Sequence, residues 1–174
     1  MQVTILKSNP NKDTNDLLKI DGARIVFPNF SGAPDAFNKQ GGKRYFTVKI
    51  DDQEIADALL AEGWNVTIKA PREEGGDPFM NLKVNVNFSG YRPPVVYLVS
   101  GENVRQLDEE SIDILDGITI ASADMDLRAY DWGPNARGES GRTAYLNAIR
   151  VHQNMEYVDR FTREYEHMDE KIPF

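Results

Sequence analysis

The sequence contains no cysteine, so a disulfide framework, a thiolate metal site and a thiol nucleophile are all closed to it. Only two histidines occur, His152 and His167. Neither stands at metal-ligand spacing from another, which removes the usual zinc and histidine-based catalytic constellations. No run of about 18 uncharged apolar residues is present, so no helical membrane span is expected. The N-terminal stretch Met1-Gln-Val-Thr-Ile-Leu-Lys7 lacks the basic region and long apolar core of a secretion signal. A cytoplasmic setting without disulfides is therefore expected, and the Asn-x-Ser/Thr matches at Asn29, Asn65 and Asn87 are read as chance. Repeats and low-complexity segments are likewise missing.

Catalytic motifs fail on inspection. Gly41-Gly-Lys43 is followed by Arg44 where a phosphate loop needs Ser or Thr, and its glycine spacing is wrong. Around Gly138-Glu-Ser140 no strand leads in and no helix follows, as a nucleophile elbow would require. Asp124 and Asp126 share a strand face and can be imagined holding Mg²⁺, but no third acidic residue stands at a fixed place beside them, so a solvated edge is the simpler reading. No enzyme, metal or cofactor is expected.

What is present suits one soluble domain: 174 residues, 40% hydrophobic and 28% charged. The formal charge of -8 runs against binding a polyanion. Its distribution matters more than its sum. The last 19 residues, 156–174, hold six acidic against three basic side chains and account for -3, leaving -5 for the body. Much of the body's negative charge lies in two stretches that read as helical, Asp51 to Glu62 and Glu102 to Asp116, so that one surface can still be positive.

Along the chain, residues 1–18 read as an extended polar arm. Leu18 to Phe30 is a strand region with a turn or bulge at Asp21-Gly22, followed by a Gly/Pro/Asn-rich loop to Gly42. The clearest alternation follows: Phe46, Val48 and Ile50 point one way, and Lys43, Tyr45, Thr47 and Lys49 the other. Asp52 to Gly63 has Ile55, Ala56, Leu59 and Leu60 at helical spacing and a glycine stop. Val66, Ile68 and Ala70 alternate up to a loop at 72–78, and Leu82, Val84, Val86 and Phe88 return with Lys83 and three asparagines outward. A short strand at Val95–Val99 and a small acidic helix at Asp108–Leu115 come next. Gly117 to Trp132 is long enough to curve around a barrel, with Met125 and Leu127 inward and Arg128, Tyr130 and Trp132 outward. A loop carrying Arg137 leads to the last strand, Arg142–Asn154. The expected fold is mainly β: an OB-fold-like antiparallel barrel over 19–154 with one or two short helices, preceded by the arm and followed by a flexible acidic tail, 155–174.

Two resemblances bear on function. Ala23-Arg-Ile-Val-Phe-Pro-Asn-Phe30, Gly42-Lys-Arg-Tyr-Phe46 and Gly141-Arg-Thr-Ala-Tyr-Leu-Asn147 resemble a group of phage single-stranded DNA-binding proteins with an OB-fold. The end of the chain, Asp169-Glu-Lys-Ile-Pro-Phe174, is similar to the acidic Ile-Pro-Phe tip of bacterial single-stranded DNA-binding proteins, with Lys171 as a departure. The resemblance implies a non-enzymatic protein that coats exposed strands in replication, recombination or repair. It also implies that Asp169, Glu170, Ile172, Pro173 and Phe174 recruit partner proteins. Physically, Phe174 and the terminal carboxylate offer an anchor ring and an Arg-pairing group on a segment too polar to fold alone.

Single strands are held by stacking bases on aromatic rings over a groove of cations. The outward set Lys43, Tyr45, Lys49, Lys69, Arg72, Lys83, Tyr91, Arg92, Arg128, Tyr130, Trp132, Arg137 and Arg142 supplies both. Phe27, Phe46, Phe88 and Trp64 are expected in the core, while Tyr45, Tyr130 and Trp132 are divided between core packing and stacking. An acidic OB-like module that binds only proteins is the alternative. A homo-oligomer is compatible with the sequence without being required by it.

Overall fold

The computed structural model describes residues 1–8, 16–36 and 38–156. In them the chain runs β1 (Gln2–Leu6), β2 (Leu17–Asn29), β3 (Arg44–Ile50), α1 (Gln53–Ala61), β4 (Val66–Lys69), β5 (Phe79–Val86), β6 (Val95–Ser100), β7 (Asn103–Leu107), a 3-10 turn (Ile112–Gly117), β8 (Ile120–Trp132) and β9 (Gly141–Gln153). The strands β2, β8 and β9 have 13 residues each. An extended run of that length spans about 40 Å and accumulates twist, so it cannot lie flat beside one partner.

β2 divides its length between two neighbours. Leu17 to Ala23 pair with β8, and Arg24 onward pairs with β3. The hand-over falls at Asp21-Gly22, where the β2–β8 register shifts and Gly22 takes φ +66. A side chain there would be strained, which is why the bulge carries glycine. Asp124 Oδ1 accepts a hydrogen bond from the Gly22 N–H at 2.9 Å and pins the bulge to β8.

The sheet closes. Following hydrogen-bonded neighbours gives β5–β3–β2–β8–β9, and β9 returns to β5 through the parallel pairs Val84 with Ala144 and Asn85 with Tyr145. The five-stranded ring is an OB-like barrel, mainly antiparallel, with parallel pairing where β9 meets β5 and β6. β4 extends it beyond β5, β6 and β7 beyond β9, and β1 along β2. Residues 2–6 of the expected arm are therefore a sheet strand, paired from Gln2 with Asp21 to Leu6 with Leu17.

Alternation fills the inside. Phe46, Val48 and Ile50 from β3 meet Leu82 and Val84 from β5 and Leu127 from β8, all buried, and Phe30 stacks on Phe46 with ring centroids 5.2 Å apart. The helix forms as its pattern requires: the Asp52 carboxylate accepts from the Glu54 N–H at 2.9 Å as N-cap, Ala56 and Leu59 are buried, and Gly63 at φ +86 ends it. Leu60, expected on the buried side, is exposed because a nine-residue helix lying on a barrel buries one narrow stripe.

The structure corrects the reading of Glu102 to Asp116 as a helix. Gly101 at φ +62 makes a tight turn, and Asn103–Leu107 runs back along β6 as β7. Only Ile112–Gly117 is helical, as a 3-10 turn. Acidic residues there serve as caps. Asp108 Oδ1 accepts from the Ser111 N–H, and Asp116 accepts from the Phe30 and Ser31 N–H groups where β2 ends.

Leu82 is fully buried between β3 and β4. Leu82→Ala is expected to lower the unfolding free energy by about 2–5 kcal/mol. A fall in the urea midpoint with an unchanged slope would show it.

Candidate nucleic-acid interface

Residues directly opposite one another in paired strands share a face of the sheet. In β3 the inward set is even-numbered, so Tyr45, Thr47 and Lys49 face outward, opposite Asn85, Lys83 and Asn81 of β5. The closing pair places Tyr145 of β9 beside Asn85, and Tyr145 is in turn opposite Arg128 of β8. One row therefore crosses four strands on the outer surface: Tyr45, Asn85, Tyr145, Arg128. Tyr130, two residues on from Arg128, closes the row at its end, its ring edge-on to that of Tyr145 at 6.0 Å.

The rings carry cations. Lys83 Nζ lies 4.6 Å from the Tyr45 ring centroid, and the Arg128 guanidinium lies 5.3 Å from that of Tyr145. The Tyr45 hydroxyl donates to Asp35 of the loop before β3, which orients the ring. Among the described residues no carboxylate comes within ion-pair distance of Arg128 or Lys83. The Arg128 side chain makes only long hydrogen bonds among the described residues, to Leu146 O and Asn147 Oδ1. Its guanidinium is pushed below the ordinary value by burial first, with the neighbouring charge of Arg92 acting the same way against an opposing contribution from Tyr145. Arg92 and Arg128 repel one another, and among the described residues neither has a carboxylate at ion-pair distance, a combination that favours an anion beside them.

The expected site residues divide. Tyr45, Lys83, Arg92, Arg128 and Tyr130 belong to this band. Tyr91, beside Arg92 in the β5–β6 loop, is 97% exposed. Lys43 is exposed just before β3, and Lys49 lies on the same face with its ammonium 3.6 Å from Asp51. Lys69 and Arg72 are exposed at the β4–β5 end, away from the band. Trp132 and Arg137 sit at the β8–β9 hairpin end, where the Trp132 ring lies so close over Gly141 that a Cβ there would come within 2.7 Å of it. The tail residues Asp169, Glu170, Ile172, Pro173 and Phe174 lie outside the described residues.

Arg142 is not brought to the band. It falls on the opposite side of β9 from Tyr145, bonds Asp131 through Nε (2.7 Å) and Asp16 through Nη1 (3.0 Å), and lies 5.3 Å from the ring of buried Trp64. Its side chain is 15% exposed. Asp16 is held below the usual carboxylate range, first by the Ser8 N–H and also by Arg142. Arg142 thus ties the start of β2 to the β8–β9 hairpin. One core assignment changes: Phe27 is 68% exposed. Ile68 on the edge strand β4 also faces solvent. Phe46 and Trp64 are buried as expected, while Phe88 is half-buried under the Arg44 guanidinium.

Tyr145 was not singled out from the sequence. Its signal was there, an aromatic between the buried small and apolar residues Ala144 and Leu146, but β9 has to be read with period two to find it. Asp124, the other half of the imagined metal pair, is occupied by the Gly22 N–H and by His152 Nε2 at 3.0 Å, and its carboxyl is held below the usual range chiefly by the former. Among the described residues no group of three or more His, Asp or Glu is arranged to hold a metal.

The family profile of the phage ssDNA-binding domain matches residues 8–172. The chain belongs to the phage ssDNA-binding family. The fold agrees with that of the single-stranded DNA-binding protein from bacteriophage Enc34, at TM-score 0.50 and 10% identity over 87% of this chain and 90% of that one. A C-terminal truncation of the same phage protein gives 0.51 and 13%, over 87% and 95%. The gp2.5 single-stranded DNA-binding protein of bacteriophage T7 aligns at 0.44 and 11%, over 80% and 87%. No curated protein matches the sequence significantly. At such identities the likeness is one of fold, and the site has to be argued from this chain's own residues.

Arg142→Met is expected to lower stability by about 1–3 kcal/mol, by unpairing Asp16 and Asp131, and to leave affinity for oligo-dT unchanged. Thermal melts and a binding titration on the same variant separate the two effects, and a large loss of affinity with an unchanged melt would return Arg142 to the interface.

Proposed function

We propose that a single DNA strand lies across the outer face of β3, β5, β9 and β8, with bases stacked on Tyr45, Tyr145 and Tyr130 and phosphates met by Lys83, Arg92 and Arg128. The observation that carries this reading is the row of rings beside two guanidiniums, Arg128 and Arg92, which among the described residues have no carboxylate at ion-pair distance. In this role the protein coats exposed strands during phage DNA replication, recombination or repair, and it performs no catalytic step. The rings supply affinity without demanding a sequence, since every base has a face to stack. The cations supply the salt-sensitive part.

Oligo-dT should bind far more tightly than duplex of equal length, with an affinity that falls steeply as salt rises. Tyr145→Ala should weaken binding by about 1–3 kcal/mol with little change in melting temperature, whereas Tyr145→Phe keeps the ring and most of the affinity. Equal affinity for duplex, or none for oligo-dT at low salt, would sink the reading.

The tail supplies the second half of the proposal. Asp169, Glu170, Ile172, Pro173 and Phe174 act as a tethered ligand for replication and repair proteins, and the acidic run competes with DNA for the band. From the end of β9 back to Tyr145 is eight residues of strand, about 26 Å. The 18 residues of 157–174 can extend to about 60 Å, so reach is no obstacle. Deleting Met168 to Phe174 should raise affinity for oligo-dT modestly where the Debye length is about 30 Å, and the gain should vanish as salt is added. Phe174→Ala keeps the charge and should leave DNA affinity alone while abolishing capture of those proteins from host extract. Identical capture by the full and shortened chains would refute the tail's role and leave the band untouched.

A further inference from the structure

Phe27 combines two costs on one residue. Its ring is left 68% exposed, and its backbone takes φ +50, a region that bulky side chains avoid and that the following Pro28 makes harder to reach. Such combinations persist where the surroundings over-determine them, and they gather at ligand clamps. The ring is also propped: Phe79 meets it edge to face, with centroids 6.1 Å apart and planes at 66°. Mutual shielding does not account for the pair, since Phe27 remains largely in water beside its partner.

Phe79 opens β5 opposite Lys69 of β4. From Phe79 the outward residues of β5 run through Asn81 and Lys83 to Asn85, the member of the row that joins Tyr45 to Tyr145. Those six steps cover about 20 Å. One strand face therefore carries an aromatic pair with a lysine at one end and the aromatic-cation band at the other. Among the described residues Lys69, like Lys83, has no carboxylate at ion-pair distance.

We infer that Phe27, propped by Phe79, is a second base-stacking station on the same strand path, with Lys69 at hand for the adjoining phosphate. The inference rests on the reading that the band binds single strands. It makes the aromatic pair a device that lengthens the footprint: a short oligonucleotide fills the band alone, and a longer one engages both ends. The left-handed backbone at Phe27 holds the ring outward, where the ordinary extended conformation would carry it along the alternation of β2.

The test uses the full chain with Phe27→Asn, because asparagine tolerates the left-handed region and removes the ring. Affinity is measured for oligo-dT of about four and about twelve nucleotides, a short and a longer length within what one OB barrel covers. The variant should bind the longer strand about tenfold more weakly, the loss of one stacked base, and the shorter strand as the unchanged protein does. Its melting temperature should hold or rise. Unchanged affinity for the longer strand overturns the inference, as does an equal loss at both lengths, which would place Phe27 inside the primary band. A lowered melting temperature with full affinity also overturns it, by making Phe27 a structural cap. Failure of the unchanged protein to bind either oligonucleotide strikes the underlying reading instead, so the two failures are told apart.

Discussion

Two parallel residue pairs hold the architecture together. Where β5 meets β9, Val84 lies beside Ala144 and Asn85 beside Tyr145, and through them an open sheet becomes a ring. The pairing sorts its members by parity: Val84 and Ala144 go into the core and Asn85 and Tyr145 go out. A one-residue slip would bury Tyr145 and expose the apolar set, so the register of closure is fixed by the core and the outer row follows from it. Without closure, Asn85 and Tyr145 would stand at opposite ends of the β5–β3–β2–β8–β9 path, with three strands between them. The surface is thus a by-product of how the interior packs.

The same economy applies to charge. A chain of net charge -8 is an unpromising ligand for a polyanion, yet many of its carboxylates are already engaged with backbone donors. Asp52 caps α1, Asp108 takes the Ser111 N–H ahead of the 3-10 turn, Asp116 closes the end of β2, Asp124 holds the Gly22 bulge, and Asp16 takes the Ser8 N–H. Most of them stand at turns or element ends, while Asp124 holds the bulge from the outer face of β8, four residues before Arg128. Among the described residues Arg92, Arg128 and Lys83 have no carboxylate at ion-pair distance, and the field over one face can differ in sign from the total.

Period-two alternation made much of this legible in advance. β3, β5 and the second half of β8 announced their inner and outer faces, and the spacing of Ile55, Ala56 and Leu59 with Gly63 beyond announced α1. The misreadings have local causes. β7 was lost because Glu102 to Asp116 is rich in acids, and charge density was allowed to outweigh the turn that Gly101 makes. Arg142 looked like its basic neighbours, but its position on β9 puts it on the Trp64 side, a fact set by a register that only the pairing reveals. Phe27 was assigned to the core by composition and escaped through a backbone conformation that no apolar pattern encodes. Tyr145 shows the converse: it lay within a stretch already noted for its resemblance, and only the neighbour brought to it by closure gives it a place.

What the outer rings gain from their cations is order before binding. An exposed tyrosine in water samples several rotamers, and stacking a base on it costs the freedom that is lost. Here Tyr45 is fixed at one end by its hydroxyl to Asp35 and covered by Lys83, while Tyr145 is set between Arg128 and the edge of Tyr130. The loop that presents Asp35 is itself tied down, since Asn29 bonds Ala33 and Asp35, and Asn38 bonds the Lys43 carbonyl. Part of the ordering cost is therefore met during folding. On the proposed reading the cations that hold the rings would also meet the phosphates of a stacked base, so that one set of side chains would serve both the free and the bound state. Among the described residues Arg128 and Arg92 have no carboxylate at ion-pair distance, and on the proposed reading a backbone phosphate would supply the missing counter-charge.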